Sequence, residues 1–195
     1  MSKHNARRPL FRCVILLAVT SACPALAVES YTVDTSRSTA HFSVSHFWVT
    51  TTQGRFDKIN GKVTLDRATK NGLMDIIIEA ASINTDITVR DKNLRSANFF
   101  DVAKFPTIFY QSSAVIFTGD TPTSIQGNLT LLGVTRPVTL TLTAFNCGLQ
   151  PATQLQRCKA DAHTEIKRSD FGMRYGLPLI GDEIKLQFEI ETYQN

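Results

Sequence analysis

The stretch IKLQFEIET, residues 184–192, alternates strictly between apolar and polar side chains. Apolar residues stand at 184, 186, 188 and 190, and charged or amide residues fill the positions between them. Successive side chains of a β-strand point to opposite faces, so this pattern is typical of a strand with one buried and one wet face. STAHFSVSHF (38–47) and PVTLTLTAF (137–145) alternate in the same way.

Weaker versions of this pattern cover most of the remaining chain. They lie at 61–66, 74–82, 107–117, 126–132 and 160–167, with turn signals such as Asn60-Gly61 and Gly119-Asp120 between them. We count eight or nine strands and no long helical pattern. An antiparallel meander of this length should close on itself, because closure removes exposed strand edges. The sequence therefore predicts an all-β fold, an antiparallel barrel of about eight strands, with a sandwich as the alternative.

One segment, RDKNLRSANFFDVAKFP (90–106), breaks the alternation. Asp91 is suited to cap a short helical turn, and Pro106 favours an extended approach to the next strand. Long connections in compact domains are usually functional or disordered, and the apolar content of this one argues against disorder. We expect a short helical insertion across one end of the barrel.

The first 27 residues have the layout of a secretory signal peptide. Basic residues are followed by a short apolar run that closes on Ala25-Leu26-Ala27, an A-x-A cleavage pattern. We expect residues 1–27 to be removed and 28–195 to form a single domain. Lipoprotein processing at Cys23 is the alternative.

Charge and composition narrow the class of partner. Four of the 21 basic residues and none of the 17 acidic residues lie in 1–27, so 28–195 carries 17 of each. A balanced charge gives no support to nucleic-acid binding. We find no phosphate-binding loop, no nucleophile elbow and no metal-ligand spacing, and we expect no cofactor, no metal and no enzymatic activity.

The two cysteines of the exported segment, Cys147 and Cys158, form an even pair in an oxidising compartment. They predict a structural disulfide that closes the intervening loop.

The predicted inner face is overwhelmingly apolar. Its members include Phe42, Val44, Ile76, Ile78, Tyr110, Leu140, Leu142, Leu186 and Phe188. An eight-stranded barrel of this kind holds either packed side chains or one small ligand, and periodicity does not separate the two. A ligand cavity here would be apolar and would suit a lipid.

The motifs resemble those of the YceI-like family, periplasmic polyisoprenoid-binding proteins with a lipocalin-like barrel. They are YTVDTSRSTAHFSVSHF (31–47), GRFDKINGKVTLD (54–66), the segment 80–113, GNLTLLGVTRPVTLTL (127–142) and KRSDFGM (167–173). The segment 80–113, with its R-D-x-x-L-R-S and F-F-D order, is the most specific. Asn93 stands where the family often has histidine.

The resemblance implies an apolar tunnel, closed at one end by the helical insertion, in a periplasmic carrier of an isoprenoid or other long-chain lipid. The expected ligand-binding residues are Phe42, Val44, His46, Ile76, Ile78, Arg90, Phe99, Phe100, Tyr110, Leu140, Phe171, Leu186 and Phe188. Two interpretations are open for Arg90 and Arg95: they order the cap with Asp91 by ion pairing and hydrogen bonds, or one of them meets a phosphate or quinone-like head group.

Two other functions stay open at this point. One is an enzyme acting on an isoprenoid or quinone-type lipid, with His46 and Tyr110 as acid/base candidates. The other is a ligand-free envelope stress or interaction protein with a filled core. A homodimer and a membrane redox or lipid-metabolism partner are also open.

Overall fold

The computed structural model describes residues 28–195. The predicted signal peptide, including Cys23, lies outside the described residues. Within them the strands are β1 (Glu29–Val33), β2 (Thr39–His46), β3 (Thr50–Phe56), β4 (Ile59–Asp66), β5 (Asn71–Glu79), β6 (Ile83–Asn84), β7 (Thr107–Thr118), β8 (Thr121–Leu131), β9 (Val134–Leu149), β10 (Gln156–Lys167) and β11 (Ile180–Gln194). The helix α1 spans Thr88–Leu94, and 3₁₀ turns lie at Ala80–Ser82 and Arg168–Phe171. No helix in this part of the chain is long and apolar enough to cross a membrane.

Eight strands form a closed antiparallel ring. Their order is β1, β4, β5, β7, β8, β9, β10 and β11, and β11 pairs with β1 to complete the circle. This arrangement confirms the predicted barrel. The other three strands, β2, β3 and β6, form a branch that is attached to the ring through β11.

The strand β11 pairs with strands of both the ring and the branch. Its last residues, 192–194, pair with β1, and residues 184–189 pair with β2. The hairpin β2–β3 therefore continues the wall of the barrel at one end. β6 pairs with β3 only at Arg55 and Phe56, so the rest of β3 has no strand beside it on that side.

The alternation of the sequence sets the two faces of each wall. In β5, Met74, Ile76 and Ile78 are buried, while Asp75 and Ile77 between them are exposed. Since the side-chain period of a strand is two, one register places every second residue inside.

The predicted turn at Asn60-Gly61 is wrong. Both residues lie inside β4, and the preceding turn falls at Asp57-Lys58. A Cβ at Gly61 would crowd the carbonyl oxygen of Asp75 and the side chain of Ile76 on the neighbouring strand. The glycine is there because two strands approach closely, which is the other common reason for glycine in a strand.

The predicted disulfide is present. Cys147 of β9 and Cys158 of β10 lie directly opposite each other and are bonded. Cys158 packs with Tyr31 and Leu65 at the same end of the barrel, which we call the disulfide end. By the loop-closure relation a ring of this size contributes about 3 kcal/mol to stability. The opposite end, where α1 lies, is the cap end.

Candidate functional site

The interior of the barrel contains two adjoining cavities. The larger, at the cap end, has a volume of about 540 Å³, and the smaller, at the disulfide end, has about 120 Å³. Both are lined by the same five side chains where they meet: Ile78, Ile108, Leu129, Leu186 and Phe188. The two cavities therefore adjoin along the barrel axis, and together we call them the channel; the alternative of a completely filled core does not fit this interior.

The inner faces of several strands are only partly buried. Leu142, Leu186 and Phe188 point inward, yet each keeps measurable solvent exposure. Ordinary protein interiors are packed to crystal-like density, which would bury such side chains fully. Their exposure comes from the channel, which they line without filling.

Twelve of the thirteen predicted ligand-binding residues line this channel. At the cap end these are Phe42, Val44, His46, Arg90, Phe99 and Phe100; at the disulfide end they are Ile76, Tyr110 and Leu140; at the junction they are Ile78, Leu186 and Phe188. Their inward direction follows from strand alternation, except for Arg90, Phe99 and Phe100, which belong to the insertion.

Phe171 is the one predicted residue that the structure places elsewhere. Its ring is buried in the core, but it borders a groove on the outside of the barrel, beside Arg136 and Glu183. The chain reverses directly afterwards at Gly172, whose φ of +85° is left-handed. This reversal directs Met173, and not Phe171, to the channel.

The cap begins with α1 and continues through turns to Phe105. Aromatic side chains hold it against the barrel, because the Phe100 ring meets that of Phe56 edge-on, with 5.4 Å between their centroids. Phe56 in turn lies 5.8 Å from Phe42 on β2. Phe99 and Phe100 thereby cover part of this end of the channel, which stays open beside the exposed Thr50 and Thr51 of β3.

Asp91 does not cap the helix as predicted. The helix starts three residues earlier, at Thr88, and Asp91 is buried within its first turns. Its Oδ1 atom accepts hydrogen bonds from the backbone N–H, at 2.9 Å, and from the hydroxyl of Thr85. A carboxylate that accepts two such bonds ties the helix to the segment before it.

Two arginines of the cap donate to hydroxyl and carbonyl oxygens instead of carboxylates. Arg90 donates from Nε to the Thr85 hydroxyl (2.8 Å) and from one Nη atom to the Thr85 carbonyl (2.9 Å). Arg95 donates to the carbonyl oxygens of Ala81 and Ile83. Neither guanidinium takes part in any ion pair within residues 28–195. Both order the cap, and only Arg90 also lines the channel.

Arg168 is a site residue that the sequence analysis missed. Its side chain is only 2% exposed and borders the cap-end cavity. The guanidinium donates to four carbonyl oxygens of one loop, those of Met173, Tyr175, Ile180 and Gly181, at 2.8–3.0 Å. The loop 173–181 is therefore folded around one buried cation.

Asp182 supports the same loop. Its two carboxylate oxygens accept from the backbone N–H and the hydroxyl of Ser169. Burial alone would raise the pKa of Asp182, but the Ser169 hydrogen bonds and the nearby Arg168 charge outweigh it and lower the pKa. Burial in turn lowers the pKa of Arg168, and Asp182 opposes that effect.

Tyr110 has its hydroxyl group engaged by the barrel wall. The oxygen lies 3.0 Å from the carbonyl oxygens of both Ile125 and Val138, and its proton is directed between them. Burial raises the pKa of Tyr110 well above the ordinary value of 10.0. The phenol is held in its neutral form.

Replacing Tyr110 by phenylalanine tests whether the neutral, hydrogen-bonded hydroxyl stabilises the fold. We expect a loss of about 1 kcal/mol near neutral pH, because the carbonyls of Ile125 and Val138 lose a donor. The phenol of Tyr110 ionises at a lower pH in the unfolded chain than in the folded protein. The stability of the wild type should therefore fall as the pH rises past about 10, and the stability of Tyr110→Phe should fall less. Urea unfolding at about pH 8 and about pH 11 measures both effects. An equal fall in both proteins would contradict the assignment.

His46 and Tyr110 are not brought together. His46 lies at the cap end, next to the tip of the β2–β3 hairpin, and Tyr110 borders only the disulfide-end cavity. General acid–base catalysis needs both groups within hydrogen-bond reach of one reacting centre. The arrangement gives no support to the enzyme alternative built on these two residues.

Comparison with known sequences agrees with this architecture. A model of the YceI-like domain matches residues 31–192. A UPF0312 protein of Shewanella denitrificans is 32% identical over 170 residues, covering 86% of this chain and 88% of the relative. Protein YceI of Salmonella arizonae is 34% identical over 155 residues, covering 79% and 80%.

Solved structures show the same fold. BcnA of Burkholderia cenocepacia superposes with a TM-score of 0.68 at 24% identity, over 82% of this chain and 98% of that one. A polyisoprenoid binding domain from Saccharophagus degradans superposes with a TM-score of 0.66 at 19% identity, over 86% and 99%. On the match of nearly its whole described length, this chain belongs to the YceI-like family.

Proposed function

We propose that this protein is a periplasmic carrier that holds a polyisoprenoid or a similar long-chain apolar lipid in its barrel. The observation that carries the proposal is the channel, whose two adjoining cavities lie along the barrel axis and are lined mainly by apolar side chains. An acyl or isoprenoid chain would exchange water for carbon contacts along its length, at about 0.8 kcal/mol for each buried methylene. The polyisoprenoid binding domain with the same fold supports this class of ligand.

The channel is polar at one end only. The lining of the disulfide-end cavity is nearly all carbon, with Tyr110 turned into the wall. The cap-end cavity adds polar groups: His41, His46, Thr50, Thr51, Thr52, Arg90, Asn93 and Arg168. A ligand with one polar end would therefore lie with its tail toward the disulfide and its head toward the cap.

Arg90 is the residue best placed to meet an anionic head group. The guanidinium of Arg168 is hydrogen-bonded to four carbonyl oxygens. Arg90 binds Thr85 through Nε and one Nη atom only, so its other Nη atom is available to a ligand. It faces no carboxylate partner within residues 28–195, and guanidinium groups favour phosphate oxygens. The site thus favours a lipid phosphate, or a quinone-like carbonyl, over a plain hydrocarbon.

The direct test is to extract the protein purified from a host that makes polyisoprenoids and to identify the released lipid by mass spectrometry. We expect about one long-chain apolar molecule per protein. A lipid that binds only the folded state should also raise the melting temperature. Extracts without lipid from repeated preparations, together with no such rise on adding polyprenyl phosphate, would refute the carrier.

The export part of the proposal is tested separately. The leader at 1–27 should be absent from the protein isolated from the periplasmic fraction, and N-terminal sequencing should begin at residue 28. A lipid on Cys23 would instead place the protein on a membrane.

The role of Arg90 has its own test. Arg90→Gln should weaken binding of polyprenyl phosphate by at least about ten-fold while changing binding of the uncharged polyprenol little, because one charge-assisted bond is lost. Displacement of a fluorescent fatty-acid probe measures both affinities. Arg95→Gln is the matched control, since Arg95 orders the same cap from outside the channel. Equal losses for phosphate and alcohol would show that Arg90 acts only on the cap.

A further inference from the structure

Large apolar side chains are exposed together at the cap end. Three consecutive residues at the tip of the β2–β3 hairpin, Phe47, Trp48 and Val49, are 51%, 71% and 83% exposed. Tyr175 and Leu179, in the loop that Arg168 holds, are about half exposed. We call these five residues the rim. Exposed apolar side chains scattered singly need no explanation, but a contiguous group marks an interaction surface.

The rim is one surface, because its two segments touch. The backbone N–H of Phe47 donates to the carbonyl oxygen of Leu179 at 2.7 Å. The ring of Tyr175 meets that of Phe99 edge-on, with 5.3 Å between centroids. The residues just inside the rim, His46 and Ile180, are paired and line the channel. The rim therefore borders the cap-end opening of the lipid site.

The backbone of the hairpin tip has an energetically unfavourable conformation. Phe47 and Trp48 have φ values of +52° and +56°, in the left-handed region. The connection has three residues, 47–49, and its left-handed positions favour glycine or asparagine, because bulky side chains are disfavoured there. Aromatic residues at both positions do not serve the turn, and strained positions of this kind concentrate at functional sites.

The charges around the rim select the kind of partner. The hairpin 39–56 and the loop 171–181 contain no acidic residue. Arg55, at the base of the hairpin, is paired with Asp57 and Asp86, so Arg174 is the basic residue of these two segments that has no carboxylate partner in the part of the chain that the structure describes. Tryptophan and tyrosine are the side chains enriched where a bilayer meets water, and basic residues are attracted to anionic lipids. Both features point to a membrane surface.

We propose that the rim docks the cap-end opening onto the surface of an anionic phospholipid bilayer. This inference rests on the proposed carrier function and extends it, since a lipid could then pass between bilayer and channel without crossing water. The hairpin tip and the loop 173–181 would enter the interface, and the disulfide end would face away from the membrane.

The experiment uses the one tryptophan of the chain, Trp48, as its reporter. The protein is mixed with vesicles of phosphatidylethanolamine and phosphatidylglycerol, or of phosphatidylcholine alone, which contain no isoprenoid. With the anionic vesicles we expect co-flotation, a blue shift of Trp48 emission and quenching by brominated lipid. Binding to phosphatidylcholine should be weaker.

Two variants locate the surface while keeping Trp48. Val49→Ser combined with Leu179→Ser should weaken vesicle binding by at least about ten-fold, through lost apolar burial. Leu149→Ser is the matched control, because Leu149 is 67% exposed but lies at the disulfide end. Melting curves establish that both variants fold.

Several outcomes would overturn the proposal. One is Trp48 emission that vesicles do not change, and another is equal vesicle binding by the parent and the rim variant. A third is a dimer in sedimentation analysis that Val49→Ser/Leu179→Ser dissolves, since the rim would then bind a second copy. Extraction of bound lipid reports on the carrier independently: lipid-loaded protein that ignores vesicles refutes docking alone, and lipid-free protein that binds them refutes the carrier alone.

Discussion

Replacing Arg168 by alanine will lower the free energy of unfolding by about 4 kcal/mol, because four carbonyl oxygens lose a buried charged donor together. Each hydrogen bond to a charged group is worth more than a neutral one, and the carbonyls that remain are enclosed by the loop 173–181. Urea unfolding followed by far-UV circular dichroism measures the loss.

The loop should also lose its shape in this variant. Hydrogen exchange of the amides in 173–181 should accelerate more than that of the ring strands, since the loop is folded around the guanidinium. Arg136→Ala is the matched control: Arg136 is exposed and donates one bond, to Asp170. Its effect should stay within about 0.5 kcal/mol. A loss for Arg168→Ala no larger than that would contradict the structural role assigned to this residue.

Replacing Leu129 by tryptophan should abolish lipid loading while leaving the barrel folded. Leu129 borders both cavities where they adjoin, so a larger ring there should block a chain from extending from one cavity into the other. A long chain could then occupy only one cavity, and we expect its affinity to fall by at least about a hundred-fold, from the loss of several buried methylenes. Because Leu129 borders both cavities, the added atoms have room on either side, and we expect a cost to stability of about 1–3 kcal/mol.

Extraction and mass spectrometry, together with probe displacement, measure this effect. Asn128→Trp is the control, since Asn128 is the exposed neighbour on the outer face of the same strand. It should retain lipid at the parent level. Full loading of Leu129→Trp would mean that the lipid does not run through the channel.

The ring could be predicted from the sequence because a period of two specifies both strand and inner face. Stretches such as 184–192 show apolar and polar residues in strict order, and β11 is the strand they form. β3 could not be found in this way. Its sequence TTTQGRF has no alternation, since its first residues lie at an opening instead of against a core.

The same distinction applies to the site residues: those in alternating strands could be predicted, and those outside them could not. Strand residues such as Phe42 and Leu140 were placed correctly because periodicity gives their direction. Arg168 was missed because all of its partners are backbone carbonyls, which leave no trace in the sequence. Asp91 was misplaced because a buried carboxylate that binds a preceding threonine looks, in sequence, like an ordinary helix cap.

The branch formed by β2, β3 and β6 has a mechanical consequence. β3 is joined to β6 at Arg55 and Phe56 only, so the outer edge of residues 50–54 carries no ladder of hydrogen bonds to a neighbour. The outer edge of β3 is therefore held by a neighbouring strand at its base and is free of one toward the hairpin tip. Because β2 stays paired with β11 as far as His46, a bulky ligand that enters beside residues 50–54 breaks no hydrogen bond between the eight strands of the ring.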